Sequence, residues 1–141
     1  MGASCVAVDI VVPNRTEYLA LVGSIAECLA RGLASYSGDR EDLAFQLNLA
    51  LTEAVVNAIE HGSSEGSPAA LRVCIDIDDK LLSIRVYDNG QGFDLDDLGT
   101  ADPVGLQETG RGMFLIRSLM DSVTYRATPS GNVLEMHKKL S

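Results

Sequence analysis

The sequence predicts an α+β protein, a two-layer sandwich in which helices cover one face of a mixed, mostly antiparallel sheet. The N-terminal half holds two apolar stripes at helical spacing, and most of the remaining chain alternates as strands do. Helices segregated from strands in this way are typical of the α+β class. The 141 residues are enough for one core, so we expect one domain over residues 1–141.

The first elements are predicted to be a strand and a helix. β-Branched residues favour a strand over residues 6–12, which Pro13 ends. Asn14 and Glu17 have the spacing of a helix capping box. The helix that follows has a stripe that includes Leu21 and should end within residues 35–38.

A second helix is predicted after Asp39, which is a good N-cap residue, and Gly62 is a plausible end. Its apolar stripe consists of Leu43, Leu47, Leu51, Val55 and Ala58. The later elements are predicted as strands over residues 71–77, 82–86, 122–128 and 133–139, and a third helix over about residues 112–120.

Composition and charge narrow the class of protein. The chain is 46% hydrophobic with a formal net charge of -9, which disfavours nonspecific binding to nucleic acid or anionic membrane. No secretory signal or membrane-length apolar run is present. Cys5, Cys28 and Cys74 lack the spacing of a disulfide framework or zinc site, so we expect reduced core thiols in a cytoplasmic protein.

A polar row runs along the predicted second helix. Residues four apart share a helix face, so Glu53, Asn57 and His61 line up. The neutral amide oxygen of Asn57 suits Mg²⁺, which takes few protein ligands. Glu53 is placed to accept a proton from an attacking hydroxyl. Taken alone, such a row is more often an ordinary solvated helix face.

A carboxylate ends the strand that contains residues 82–86. Strand alternation puts Asp88 on the same face as the apolar residues, where a buried carboxylate needs a hydrogen-bond partner. An adenine amino group would serve, and Gly90 and Gly92 would let the backbone approach a planar base. A simple Asp-Asn-Gly turn explains the same residues equally well.

The third motif is Gly110-Arg111-Gly112 ahead of an apolar helix. Glycines at a helix start expose backbone N–H groups, and the helix dipole favours anions there. Arg111 adds a positive charge. A plain loop-to-helix junction is the default interpretation of this motif by itself.

The three motifs together resemble the sequence boxes of the GHKL (Bergerat-fold) ATPases. The resemblance rests on Glu53-x3-Asn57, the DNGQGFD run over residues 88–94 and the GRGMFLIRSLMD run over residues 110–121. It covers almost the whole chain, and the sequence is similar to the stand-alone bacterial anti-sigma-factor serine/threonine kinases. That resemblance implies the Bergerat ATP-binding fold, ATP with Mg²⁺, and a homodimer.

The resemblance also implies roles for single residues. Glu53 matches the proposed general base and Asn57 the magnesium ligand. Asp88 matches the adenine-binding aspartate, with Gly90 and Gly92 beneath the base.

The remaining matches concern the phosphates. Gly110 and Gly112 match the phosphate-binding glycines, and residues 95–109 match the ATP lid. A contact of Arg111 with the terminal phosphate is our hypothesis from its charge and position. His61 is expected to be a helix-terminal residue rather than a catalyst.

Such kinases sequester a sigma factor and phosphorylate a serine of an anti-anti-sigma (STAS-type) antagonist. The resemblance therefore implies an anti-sigma factor with serine/threonine kinase activity. Sensor histidine kinases usually carry a second amide where this chain has Glu53, and they need an acceptor histidine in an upstream helical domain, where neither His61 nor His137 lies. A nucleotide-responsive partner switch without significant kinase activity remains the alternative, and an ATPase fragment of a sensor kinase is a weaker one.

Overall fold

The structure, a computed structural model, describes residues 5–34, 36–61, 70–88, 108–128 and 131–140. The elements in chain order are β1 (Val6–Pro13), a short 3-10 helix (Thr16–Tyr18), α1 (Leu19–Arg31), α2 (Arg40–His61), β2 (Ala70–Ile77), β3 (Leu81–Asp88), α3 (Glu108–Leu119), β4 (Ser122–Thr128) and β5 (Gly131–Lys139). The strands form one sheet in the order β1-β2-β3-β5-β4, and every neighbouring pair is antiparallel. The predicted α+β fold is confirmed.

The core lies between the three helices and one face of the sheet. Burial alternates along β3, so that Leu82, Ile84 and Val86 are buried while the residues between them are partly exposed. The predicted stripe of α2 is buried throughout its length, and α2 packs against both α1 and α3. This central helix therefore connects the helical layer to the sheet.

The start of α2 follows the predicted capping chemistry. Asp39 Oδ1 accepts hydrogen bonds from the backbone N–H groups of Glu41 and Asp42, at 2.9 and 3.3 Å. These contacts satisfy donors that the first turn of a helix leaves without an internal partner. The helix is described as far as His61, and the predicted end at Gly62 lies outside the described residues.

The predicted boundaries of the first helix are wrong at both ends. Arg15 is in an extended conformation, and its guanidinium pairs with Glu17 at 3.1 Å instead of leaving that carboxylate for a capping box. The chain makes a 3-10 turn, and α1 begins only at Leu19. Gly32 is the C-cap of this helix, and its N–H is shared between the carbonyls of Cys28 and Leu29, which tightens the last turn.

Several side chains predicted to be buried are exposed. Leu21 is 50% exposed, although Val22 of the same predicted stripe is buried. Cys5 and Cys28 are exposed free thiols, so only Cys74 is a buried cysteine as expected. In the part of the chain that the structure describes, no helix is long and apolar enough to cross a membrane.

The outer face of the sheet is covered by ion pairs. Arg72 pairs with Asp9 at 2.8 Å, and its guanidinium lies 5.5 Å from the ring centre of Tyr87. Arg85 pairs with Asp76 at 2.9 Å. Charged and aromatic side chains thus make this face compatible with water.

Candidate functional site

Two of the predicted site residues, Asn57 and Asp88, line the same cleft between α2 and the sheet. The cleft is narrow, and its lining side chains leave no space for the centre of a water molecule between them. The described residues that line it are Ala54, Asn57, Ala58, Val86, Asp88, Tyr125 and Leu134. The alanines of α2 give the cleft a wall without bulky side chains.

Asp88 is the last residue of β3 and points into the cleft side of the sheet, as the alternation predicts. It is 9% exposed, and its Oδ1 accepts a hydrogen bond of 2.9 Å from Nδ2 of Asn132. The register of β3 and β5 sets the two residues directly opposite each other. Asn132 is itself 4% exposed, so a buried amide fixes the orientation of a buried carboxylate.

Asn57 lines the cleft from α2. It is 1% exposed, and its Nδ2 donates to the sulfur of Met113 at 3.1 Å. Met113 belongs to α3 and directly follows Gly110-Arg111-Gly112. The structure therefore places the first turns of α3 beside Asn57, the predicted magnesium ligand on α2.

The third helix begins earlier than predicted, at Glu108 rather than at Gly112. The first N–H groups of a helix have no partner inside it, and in α3 these include the N–H groups of residues 108–110. Gly110 lies within this anion-favouring turn, whereas the N–H of Gly112 lies further along, where the helix uses its N–H groups internally. The side chain of Arg111 lies outside the described part of the structure.

Glu53 is partly exposed on α2, one turn before Asn57, and it is not among the residues that line the cleft. A polar network precedes it on the same helix, in which Thr52 donates to Asn48 at 3.0 Å and Asn48 donates to Glu27 of α1. The hydrogen bond from Asn48 holds the pKa of Glu27 below its ordinary value.

The close approach of α1 to α2 depends on Gly23. A Cβ atom at this position would lie 2.5 Å from Oδ1 of Asn48, so only glycine lets the helices meet here without a shift.

The sequence patterns did not select three residues that line the cleft or contact its predicted residues. Asn132 and Met113 form hydrogen bonds with Asp88 and Asn57, and Tyr125 lines the cleft. The position of Asn132 beside Gly131, at a strand start, was the one signal available. Gly90, Gly92 and residues 95–107 of the expected lid lie outside the described residues, as does the side chain of His61.

Comparison with known proteins identifies the class. A family model described as a histidine kinase-like ATPase domain matches residues 12–138. The chain belongs to this family, which confirms the resemblance seen in the three motifs and makes ATP the nucleotide that the domain uses.

The relatives are serine-protein kinases by name. The chain is 34% identical to Serine-protein kinase RsbW of Halalkalibacterium halodurans, over 94% of this chain and 83% of that protein. It is 32% identical to Serine-protein kinase RsbW of Bacillus subtilis (strain 168), over 95% of this chain and 86% of that protein. The predicted class of enzyme is thereby confirmed.

A solved structure supports the fold. The histidine kinase domain of the blue-light activated histidine kinase from Erythrobacter litoralis EL346 matches with a TM-score of 0.50 and 17% identity, over 92% of this chain and 62% of that chain. At this identity the likeness concerns the fold alone.

Proposed function

We propose that this protein is an anti-sigma factor with ATP-dependent serine/threonine kinase activity. It holds a sigma factor and phosphorylates a serine on a STAS-type anti-anti-sigma protein. The observation that carries the proposal is the cleft in which Asn57 and Asp88 meet next to the start of α3. The relatives named as serine-protein kinases support the same activity.

In this proposal the base of ATP binds at the sheet end of the cleft. The carboxylate of Asp88 accepts a hydrogen bond from the adenine amino group, and Asn132 holds that carboxylate in place. An ionised carboxylate has about four acceptor positions, so the bond from Asn132 does not exhaust it. Gly90 and Gly92 are proposed to lie beneath the base, as the resemblance to the ATPase family implies.

The phosphates and Mg²⁺ bind at the helical end. The donor set fits this ion, because Asn57 offers a neutral oxygen and Mg²⁺ keeps waters and binds through few protein ligands plus phosphates. The described residues contain no cluster of three His, Cys, Asp or Glu side chains suited to a metal. In this proposal the N–H of Gly110 and the side chain of Arg111 bind phosphate oxygens at the start of α3, and Gly112, which has no side chain, leaves room for them. Residues 95–109 are the proposed lid. Bound Mg²⁺ neutralises phosphate charge.

Glu53 is the proposed general base. Its place one turn before Asn57 sets it on the same helix face as the metal-binding amide. Its partial exposure lets a serine hydroxyl of another protein reach it. Glu53 accepts the hydroxyl proton as the oxygen attacks the terminal phosphorus of ATP, and ADP leaves.

The proposed partners are proteins. We expect a homodimer in the cytoplasm, built from one such domain per chain, with no direct binding to nucleic acid or membrane. The formal net charge of -9 supports the last two points and would favour a basic surface on the sigma factor.

The test is phosphoryl transfer by Glu53→Gln. Purified protein is incubated with labelled ATP, Mg²⁺ and candidate antagonist proteins from the same genome. We expect the parent to label a partner serine and Glu53→Gln to be slower by roughly 100-fold or more, because general-base catalysis contributes about 10²–10⁴-fold. ATP affinity, measured by calorimetry, should stay unchanged.

Glu60→Gln is the matched control. Glu60 is an exposed carboxylate on the same helix, and its variant should transfer phosphate at the parental rate. Equal rates in Glu53→Gln and the parent would remove Glu53 as the base. Tight binding of the antagonist by the parent without any label would favour the non-catalytic partner switch.

A further inference from the structure

The contact between Met113 and Asn57 restricts the orientation of the Asn57 amide. The distance from Nδ2 to the sulfur is 3.1 Å, and the two residues are 1% and 0% exposed. A thioether sulfur accepts hydrogen bonds weakly and has no hydrogen to donate. Only the NH₂ group of the amide can therefore face the sulfur favourably, and the carbonyl oxygen is turned away from it.

This restriction concerns the atom that matters for a metal. The NH₂ group of an amide cannot bind a cation, whereas its carbonyl oxygen can. An amide without an oriented partner would lose part of its binding free energy in selecting the correct orientation. The sulfur makes that selection before the ion arrives.

We propose that Met113 is a positioning residue that holds Asn57 with its carbonyl oxygen presented to Mg²⁺. The inference rests on the proposed function of Asn57 as the magnesium ligand. Because Met113 directly follows Gly110-Arg111-Gly112, it also ties the phosphate-binding start of α3 to the metal ligand on α2.

A leucine would fill the same core space but would not discriminate between the two ends of the amide. Met113→Leu is therefore the test variant, and Met136→Leu is the matched control, since Met136 is also 0% exposed but lies on β5 opposite Ile84. Volume-conserving exchanges of this kind are tolerated well in cores. ADP affinity is measured by calorimetry in chelator and in saturating Mg²⁺.

The gain in ADP affinity on adding Mg²⁺ is the quantity to compare. We expect Met113→Leu to bind ADP in chelator as the parent does and to lose roughly 10-fold of the Mg²⁺ gain, as residues that orient metal ligands typically do. Met136→Leu should keep the full gain. An undiminished gain in Met113→Leu would overturn the proposal while leaving the role of Asn57 intact.

Failure of the proposed function gives a different result. If the parent shows no Mg²⁺ gain, or Asn57→Ala keeps it, Asn57 is not the ligand and the inference falls with it. A second measurement covers the case in which Met113→Leu does not fold. In parent protein with ¹³C-methyl methionine, Mg²⁺ added to the ADP complex should shift the Met113 resonance more than that of Met136. An unshifted Met113 resonance would contradict the proposal.

Discussion

The two faces of the sheet carry polar pairs of almost the same length in very different surroundings. On the inner face, Asn132 donates to Asp88 at 2.9 Å, and the two residues are 4% and 9% exposed. On the outer face, Arg72 pairs with Asp9 at 2.8 Å, but the side chains are 52% and 53% exposed. If distance alone decided the strength of a polar contact, these two pairs would contribute equally to stability.

The difference in burial makes their contributions to stability different. A half-exposed ion pair is screened by water and contributes little to stability, whereas a buried carboxylate deprived of a partner is costly. The outer pairs therefore serve mainly to solvate the sheet. The inner pair holds a carboxylate inside the protein, where its acceptor oxygens can be used to select a ligand.

The largest effect should follow from changing the inner carboxylate. Asp88→Asn replaces an acceptor with a group that is partly a donor, so it opposes the adenine amino group. We expect ATP affinity to fall by about 10- to 100-fold, the value of a hydrogen bond to a charged group. Asp76→Asn on the outer face is the matched control and should bind ATP normally. Calorimetry that gives the parental affinity for Asp88→Asn would remove the pocket assignment.

A smaller effect should follow from changing the partner of this carboxylate. Asn132→Leu keeps the approximate size of the side chain but removes the N–H donor to Asp88. We expect chemical denaturation to show a loss of about 1–3 kcal/mol in unfolding free energy. ATP affinity should fall as well, because the carboxylate loses its fixed orientation.

The conservative variant Asn132→Ser checks the cause of that loss. A serine hydroxyl can still donate, so part of both the stability and the ATP affinity should return. If Asn132→Ser and Asn132→Leu behave alike, the side chain matters for packing and not as a donor.

Local periodicity was enough to locate Asp88 and Asn57. Alternation along a strand assigned Asp88 to the core face, and spacing by four on a helix aligned Asn57 with Glu53. Their partners could not be found in this way. The pairing of Asp88 with Asn132 depends on the register of strands 44 residues apart, and that of Asn57 with Met113 spans 56 residues.

The errors in the first helix have a similar origin. The capping-box spacing of Asn14 and Glu17 was correct as a pattern, but a neighbouring arginine took the carboxylate. Leu21 fits a helical stripe, yet it is exposed, and the face of α1 that is buried carries Val22, Gly23 and Ala26. Both outcomes depend on contacts between side chains and between helices, which residue spacing alone does not reveal.

The smallest effect should come from the outer pair. Arg72 donates two hydrogen bonds to Asp9, and these contacts hold the pKa of Asp9 below its ordinary value. A carboxylate with a lowered folded pKa stabilises the protein above its unfolded pKa, and that contribution is lost as the pH falls through the folded value. Asp9→Asn should thus lower Tm slightly at pH 7, and the difference should disappear as the pH falls below about 4.

Asp79→Asn controls for this prediction, because it removes the same charge from an exposed turn residue. Neither variant should alter ATP affinity. A loss of stability in Asp9→Asn as large as that in Asn132→Leu, or one that persists in acid, would mean that the two faces do not differ in the way their burial indicates. The pH dependence is the sharper criterion, because packing defects would lower Tm at every pH whereas a screened ion pair contributes only while Asp9 is ionised.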